Sequence, residues 1–351
     1  MSATTAAAAA AAPTTSLQHV QGPPYPPQGA ALGGRPTTTV DVPLSSVFLL
    51  LFAISAAAHM TVLQRNNRRG RKFLLSGVLF GFSMARIVAN ILRIVWACYP
   101  SNPSIAIAAS VFANAGVLLL FVVNLILAQR LLRAHQPTLG WSRPLRLAFK
   151  LLYAAVAACL VMVIVALVCS FYTLDPEALG RIRDVQLFAV TFLAVLAFLP
   201  LPITLLALLL PRKEPVDGFG TGSMRTKILL VLSTTALLCF GAAFRAAVAY
   251  IRRPANDPAW FHHKAAYYCV NYTIEVVVIY AYLFFRFDRR FWIPDGSDRP
   301  GDYARLAPDH VTAEKKVAGS DDGFRPDTRT TAEPNYPSLH RTDEHGADER
   351  V

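Results

Sequence analysis

The chain has 351 residues, 54 % of them hydrophobic and 16 % charged, against roughly 25 % charged in soluble domains, and its mean hydropathy is +0.39. These values exclude an ordinary soluble domain and place the chain in the membrane class. The formal charge of +12 is uneven: residues 41–296 hold 25 Lys/Arg against 10 Asp/Glu, while 297–351 hold eight against twelve. The basic balance therefore points to anionic lipid heads beside a bilayer and not to nucleic acid.

Residues 1–43 read as a disordered, low-complexity tail with an Ala6–Ala12 run and a Pro-rich stretch. They have neither a basic n-region nor an apolar h-region, so no cleaved signal peptide is expected. Seven apolar segments follow within 44–296, at about 44–63, 73–98, 105–129, 150–172, 185–210, 227–250 and 267–287. Each is close to the ~20 residues needed to cross hydrocarbon. The expected fold is an all-α integral membrane protein, a seven-transmembrane-helix bundle. Pro200 and Pro202 in the fifth segment remove backbone donors and predict a kink. Residues 297–351 read as a disordered acidic tail, in which Tyr336-Pro337-Ser338-Leu339 fits a short sorting pattern.

Lys/Arg placement predicts the orientation. One set of connections carries five basic residues in 65–72, five in 130–150, four in 212–227 and three in 286–290. The other set carries only Arg35, Arg181, Arg183, Arg252, Arg253 and Lys264. The first set is expected to be cytoplasmic, which puts the N-terminus outside and the C-terminus inside. The plasma membrane is the expected location.

The second segment, Phe73 to Cys98, is the unusual one. It carries Arg86, Asn90 and Arg93 at spacings of four and three, within about 60° of one another on a helix. It also has a ridge of small residues, Gly77, Gly81, Ala85 and Ala89, suited to close helix approach. Each arginine at bilayer depth costs roughly 2.5–3.5 kcal/mol on insertion scales, so partners are expected. Arg245 in the sixth segment and Glu275 in the seventh are the other interior charges, with His59 in the first. At 1.5 Å per residue, the depths are about 7 Å for Arg93 and Arg245, about 12 Å for Glu275 and about 18 Å for Arg86. Glu275 is the only acid within these limits and shares a face with Tyr268, Asn271, Tyr272 and Tyr282.

Two readings of this cluster stand side by side. In one, Glu275 pairs with Arg86 or Arg245 to fix helix packing, and Arg93 and Arg245 snorkel to the nearer surface. In the other, Arg86, Asn90, Arg93, Arg245, Asn271 and Glu275 line an outward cavity with excess positive charge that suits an anionic or lipidic small molecule. Arg86–Glu275 is the first expected pair, with Arg245 as its third member.

No enzyme chemistry is expected. The seventh segment has no lysine for retinal, the spans have no histidine pairs for haem, and neither a Ser-His-Asp nor a Walker-type pattern occurs. His262 and His263 are adjacent and point apart, so neither a metal nor any other cofactor is expected. Among Cys98, Cys159, Cys169, Cys239 and Cys269 no metal spacing occurs, and a Cys98–Cys169 disulfide stays open.

Several strings carry a resemblance. FLLLFAISAAAHMTVLQRNNRRGRKFLLSGVLFGFSMARIVANILRIVWA and GVLLLFVVNLILAQRLLRA are two of them; Phe244-Arg245, Trp260, Lys264, Glu275 and FRFDRRFWIPDG complete the set. Over about 44–296 the chain resembles a fungal group of seven-helix proteins labelled family C-like G-protein-coupled receptors, also described as a fungal domain of unknown function. The resemblance implies a fungal multipass membrane protein. With the expected topology, the outward charges and the seven helices, the reading is a receptor-like sensor. It binds a small ligand outside and engages a cytoplasmic partner such as a G protein through its basic inner loops and tail. A weaker similarity is to fungal RTA-like lipid-translocating exporters, although Ala-Ala-Val-Ala-Tyr follows Arg245 where those carry a second arginine and a glutamate. A lipid or amphiphile exporter is therefore the alternative, and membrane lipids are partners in either case.

Overall fold

The computed structural model describes residues 22–25, 29–211, 215–251, 253–254 and 257–305. Seven helices are long and apolar enough to cross a membrane: α1 Asp41–Arg68, α2 Leu74–Cys98, α3 Pro103–His135, α4 Arg143–Ser170, α5 Pro176–Leu209, α6 Met224–Tyr250 and α7 Lys264–Phe284. No strand forms among the described residues. This is a multipass transmembrane helical architecture. Side chains such as Leu50, Leu151, Phe188 and Phe240 are about three-fifths exposed on its flanks, which an aqueous surface would penalise and a bilayer does not.

Three helices start earlier than their apolar runs because their polar first turns are capped. Asn102 accepts from the amides of Ser104 and Ile105 ahead of Pro103. Asp175 accepts from those of Glu177 and Ala178 ahead of Pro176. Ser223 accepts from that of Thr226. An N-cap oxygen satisfies amides that have no intrahelical acceptor, and proline at the first position gives up a donor that would be idle anyway. For α5 this adds residues 176–184 to the expected segment and puts Arg181 and Arg183 on a helix.

Three helices are interrupted. In α3 the regular helix ends at Ala115 and resumes at Val117, with Gly116 between. In α5 it breaks at Leu199, where Pro200 can neither donate nor accommodate the preceding turn. In α7 a seven-residue π-helix runs from Tyr267 to Thr273 before α-geometry resumes at Ile274.

Packing is most extensive between α1 and α2. The packed face of α2 is Leu75, Leu79, Phe82, Arg86, Asn90 and Arg93, all buried. The expected small-residue ridge plays a smaller part: a β-carbon on Gly81 would meet nothing, and one on Gly77 only Leu63 at 3.5 Å. Deeper in the bundle, Asn124 of α3 joins Thr234 and Thr235 of α6 and Tyr282 of α7 through hydrogen bonds of 2.8–3.0 Å. Towards the Arg68 end, the bundle closes on buried rings including Phe73, Phe219, Phe287 and Phe291.

Both expected tails lose residues to the fold. Residues 29–40 pack as a strap across the Asp41 end: Ala30 N–H donates to Arg253 O at 3.1 Å and Gly33 N–H to His262 O at 3.0 Å. At the Arg68 end Tyr303 is fully buried, and Asp217 accepts from the amides of Gly301, Tyr303 and Ala304. Backbone hydrogen bonds of this kind are indifferent to composition, which is why Gly- and Pro-rich stretches that read as tails are held here. The Ala6–Ala12 run, Arg252 and the Tyr336–Leu339 pattern lie outside the described residues. All five cysteines are free, so no Cys98–Cys169 disulfide forms.

Candidate functional site

The interior charges form two clusters near the Asp41 end, each a carboxylate between two cations. In the first, Arg86 of α2 donates to Glu275 Oε1 of α7 at 2.5 Å, and Arg245 of α6 donates to the same oxygen at 3.2 Å. Arg86 also donates to Ala113 O at 2.6 Å and contacts Phe112 O at 3.4 Å. These carbonyls lie in the turn before Gly116, where the regular helix is interrupted, so the interruption and the buried guanidinium fall at the same place. A β-carbon on Gly116 would come within 3.3–3.4 Å of the Arg86 guanidinium. Phe82 and Tyr272 cover that guanidinium at 5.6 and 5.5 Å. Arg86 and Glu275 are each 1 % exposed.

The second cluster corrects two expectations. Arg93 does not snorkel; it is buried, donating through Nε and an Nη to Asp41 Oδ1 at 3.0 and 2.8 Å and through the same Nη to Gly33 O at 2.8 Å. Glu275 is also not the only acid in the spans, because α1 begins at Asp41 and not at residue 44. Asp41 is fully buried and accepts further from Thr37 N at 2.7 Å, Lys264 Nζ at 2.5 Å and Tyr268 Oη at 2.9 Å. The physical reason is that an arginine so near a closed helix end reaches a neighbouring helix start sooner than it reaches water. The strap makes this contact possible. Gly33 has φ +80°, and a β-carbon there would lie 2.6 Å from the Tyr267 ring, the ring that also covers Arg93 at 4.7 Å.

The two clusters differ in completeness. Both Asp41 oxygens are occupied by donors. In the Glu275 cluster, Glu275 Oε2, Arg86 Nε, Arg245 Nε and Asn271 Oδ1 are buried and unpartnered. Asn90 is buried too, but its amide donates to Arg86 O of its own helix at 2.8 Å, leaving Oδ1 unpartnered. It does not join either ion cluster.

Beside the Glu275 cluster lies a cavity of about 960 Å³ between α2, α3, α4, α5, α6 and α7, near the upper end of the roughly 300–1,000 Å³ range of ligand pockets. Arg86, Arg93, Arg183, Arg245 and Arg253 line it, and no carboxylate does among the described residues. Glu275 and Asp41 sit behind its wall, and Asp257 pairs with Arg253 at 3.4 Å. His262 in the adjoining loop has its pKa lowered, chiefly by burial, so at neutral pH it adds no charge. Trp96, Phe121, Leu160, Ile164 and Leu193 supply apolar wall. The strap residues Gly29 to Leu32 and Gly34 cover the Asp41 end, and on α3 the lining goes no deeper than Phe121, one turn short of Asn124. The π-helix of α7 presents Tyr267, Asn271 and Tyr272 to this space, and such wide turns recur at functional sites. Nothing in the sequence marked it. Asp41 had a signal, an acid two residues before a proline at an apolar run, which is a helix-start pattern.

A family model described as a protein of unknown function, DUF3112, matches residues 216–292. That similarity covers α6, α7 and the loop between them, with Arg245, Lys264, Asn271 and Glu275, but not the arginines of α2. No curated protein and no solved structure matches the chain.

Proposed function

We propose that this chain is a receptor-like multipass protein of the plasma membrane whose cavity takes a small anionic or lipidic ligand. In this reading the Asp41 end faces outside, the Arg68 end faces the cytoplasm, and the basic connections there engage a signalling partner such as a G protein. The reading also accords with the resemblance to the fungal receptor-like group. The single observation that carries it is the lining: five arginines and, among the described residues, no carboxylate, in a space with mostly apolar walls. A cationic lining of this kind suits an anionic ligand, which guanidinium groups bind through charge-assisted hydrogen bonds. The test is co-purification of a G-protein α subunit with the full chain across a panel of carboxylates, phosphates and lysolipids. Ligand-dependent capture supports the reading; capture unaffected by every member of the panel refutes its signalling half.

A second reading, an amphiphile transporter, draws on the interruptions of α3 and α7 beside the cavity and of α5 beyond it. Discontinuous helices at a central site are a recurring feature of transporters. Against it stand the Asn124 network and the ring cluster that close the bundle below. Movement of a fluorescent lipid across vesicles containing the purified chain would favour this reading over the receptor one.

A further inference from the structure

Arg181, Ile182 and Arg183 follow one another in the first turns of α5. Successive helical positions turn by about 100°, so the three side chains leave in different directions. Ile182 and Arg183 line the cavity. Arg181 and Ile182 line a second hollow of about 660 Å³ on the far side of the α4–α5 seam. Ile182 is thus the wall the two spaces share. The second hollow is otherwise apolar or small, bounded by Val161, Met162, Val165 and Ala166 of α4 and Val185 of α5. Val161 and Val165 are 61 % and 54 % exposed, on a surface that in a transmembrane helix meets lipid. Of the seven spans α4 is also the least held, with 17 % of its most apolar window buried.

At the Asp41 end the strap lies over the cavity. There the strap is pinned by Ala30 to Arg253, by Gly33 to His262 and by Arg93 to Gly33. The walls from α4 and α5 supply Leu160, Val163, Ile164 and Leu193, with Arg183 and Gln186 nearer the Asp41 end, while α2, α6 and α7 supply Arg86, Arg245 and Asn271. An apolar chain lies comfortably on the first side and an anion on the second. Arg181, paired loosely with Glu177 at 3.5 Å on the surface, stands at the bilayer side of the same wall, where an anionic head would first meet it.

Building on the ligand-binding reading above, we infer that the ligand is a single-chain amphiphile with an anionic head, a carboxylate or a phosphate monoester. It reaches the cavity from the bilayer through the α4–α5 seam, past Ile182. The head exchanges surface Arg181 for the Arg245–Asn271 region, and the chain passes from one apolar wall to the next. No covalent step is involved.

Trp96 lines the cavity and serves as the reporter. The full chain is reconstituted in lipid vesicles, and its fluorescence is followed after adding dibromostearate, a bromoalkyl phosphate or a brominated fatty alcohol, with Trp96→Phe defining the cavity signal. Quenching by either anion and not by the alcohol is expected, and the more effective of the two identifies the head. Equal quenching by the alcohol would overturn the anionic class. Ile182→Phe is expected to slow the quenching rate about tenfold, and Ile182→Ala to speed it, within the decade or more over which association rates respond to such changes. The alanine variant carries the test alone if the phenylalanine variant does not fold. Unchanged rates would overturn the route, while loss of quenching in Arg245→Gln would show that the site survives. Full quenching in Arg245→Gln would remove the site reading itself.

Discussion

Asp41 and Glu275 occupy similar positions in the charge plan and quite different ones in the structure. Each carboxylate sits buried between two cations, Asp41 between Arg93 and Lys264, Glu275 between Arg86 and Arg245. Asp41 is saturated: two guanidinium donors, an ammonium, a phenol and a backbone amide fill both oxygens. Glu275 is not, and neither are its neighbours, since Oε2, Arg245 Nε and Asn271 Oδ1 have no partner. A finished joint stabilises; an unfinished one keeps capacity for something else. Asp41 ties the strap, α1, α2 and α7 together, whereas Glu275 holds two arginines at the edge of a cavity whose charged lining, among the described residues, is all cationic.

That contrast sets the order of expected effects. Asp41→Ala strands the buried Arg93 and the half-buried Lys264 and is expected to cost about 3–5 kcal/mol, seen as a lowered melting temperature of the purified chain. A change below about 1 kcal/mol would show that the joint is not structural. Glu275→Gln is expected to destabilise by about 3 kcal/mol, the lower end for a broken buried pair, yet to tighten anion binding because two guanidiniums lose their competitor. Weaker anion binding in this variant would make Glu275 a ligand contact and erase the distinction between the clusters. Gly33→Ala adds a β-carbon 2.6 Å from the Tyr267 ring at φ +80°, and a loss of about 1–3 kcal/mol is expected. Wild-type melting would mean the strap is not clamped. Asn271→Ala should leave melting nearly unchanged while weakening anion binding by about 0.5–1.5 kcal/mol, the scale of one hydrogen bond, as measured by titration.

The seven spans could be read from the sequence because an apolar run of such length is stable only where hydrocarbon surrounds it. The Arg86–Glu275 pair could be read because Glu275 is the only acid within the apolar limits of the seven segments, which leaves an arginine at that depth little choice. Asp41 escaped because a hydropathy limit stops where polarity begins, and the polar first turn of α1 lies just beyond it. The same limit hid the turns of α5 that carry Arg181, Ile182 and Arg183, although Asp175-Pro176-Glu177 is a cap pattern. The strap escaped because its order comes from tertiary backbone hydrogen bonds, to which Gly and Pro content gives no clue. The kink at Pro200 was legible, since proline removes a donor wherever it sits. The π-helix of α7 and the break of α3 at Gly116 were not, because both depend on which guanidinium or ring fills the space opened beside them.

The most direct test is the melting temperature of the purified full chain and of Arg245→Gln with decanoate, decyl phosphate and the uncharged decanol. Binding to the folded state alone raises stability by about 2.7 kcal/mol at one hundred times the dissociation constant. The expected result is a rise with at least one anion and little or none with decanol, and no rise in Arg245→Gln, whose removal leaves Glu275 paired with Arg86. An equal rise with decanol, or an undiminished rise in Arg245→Gln, would contradict a cavity built for an anionic ligand.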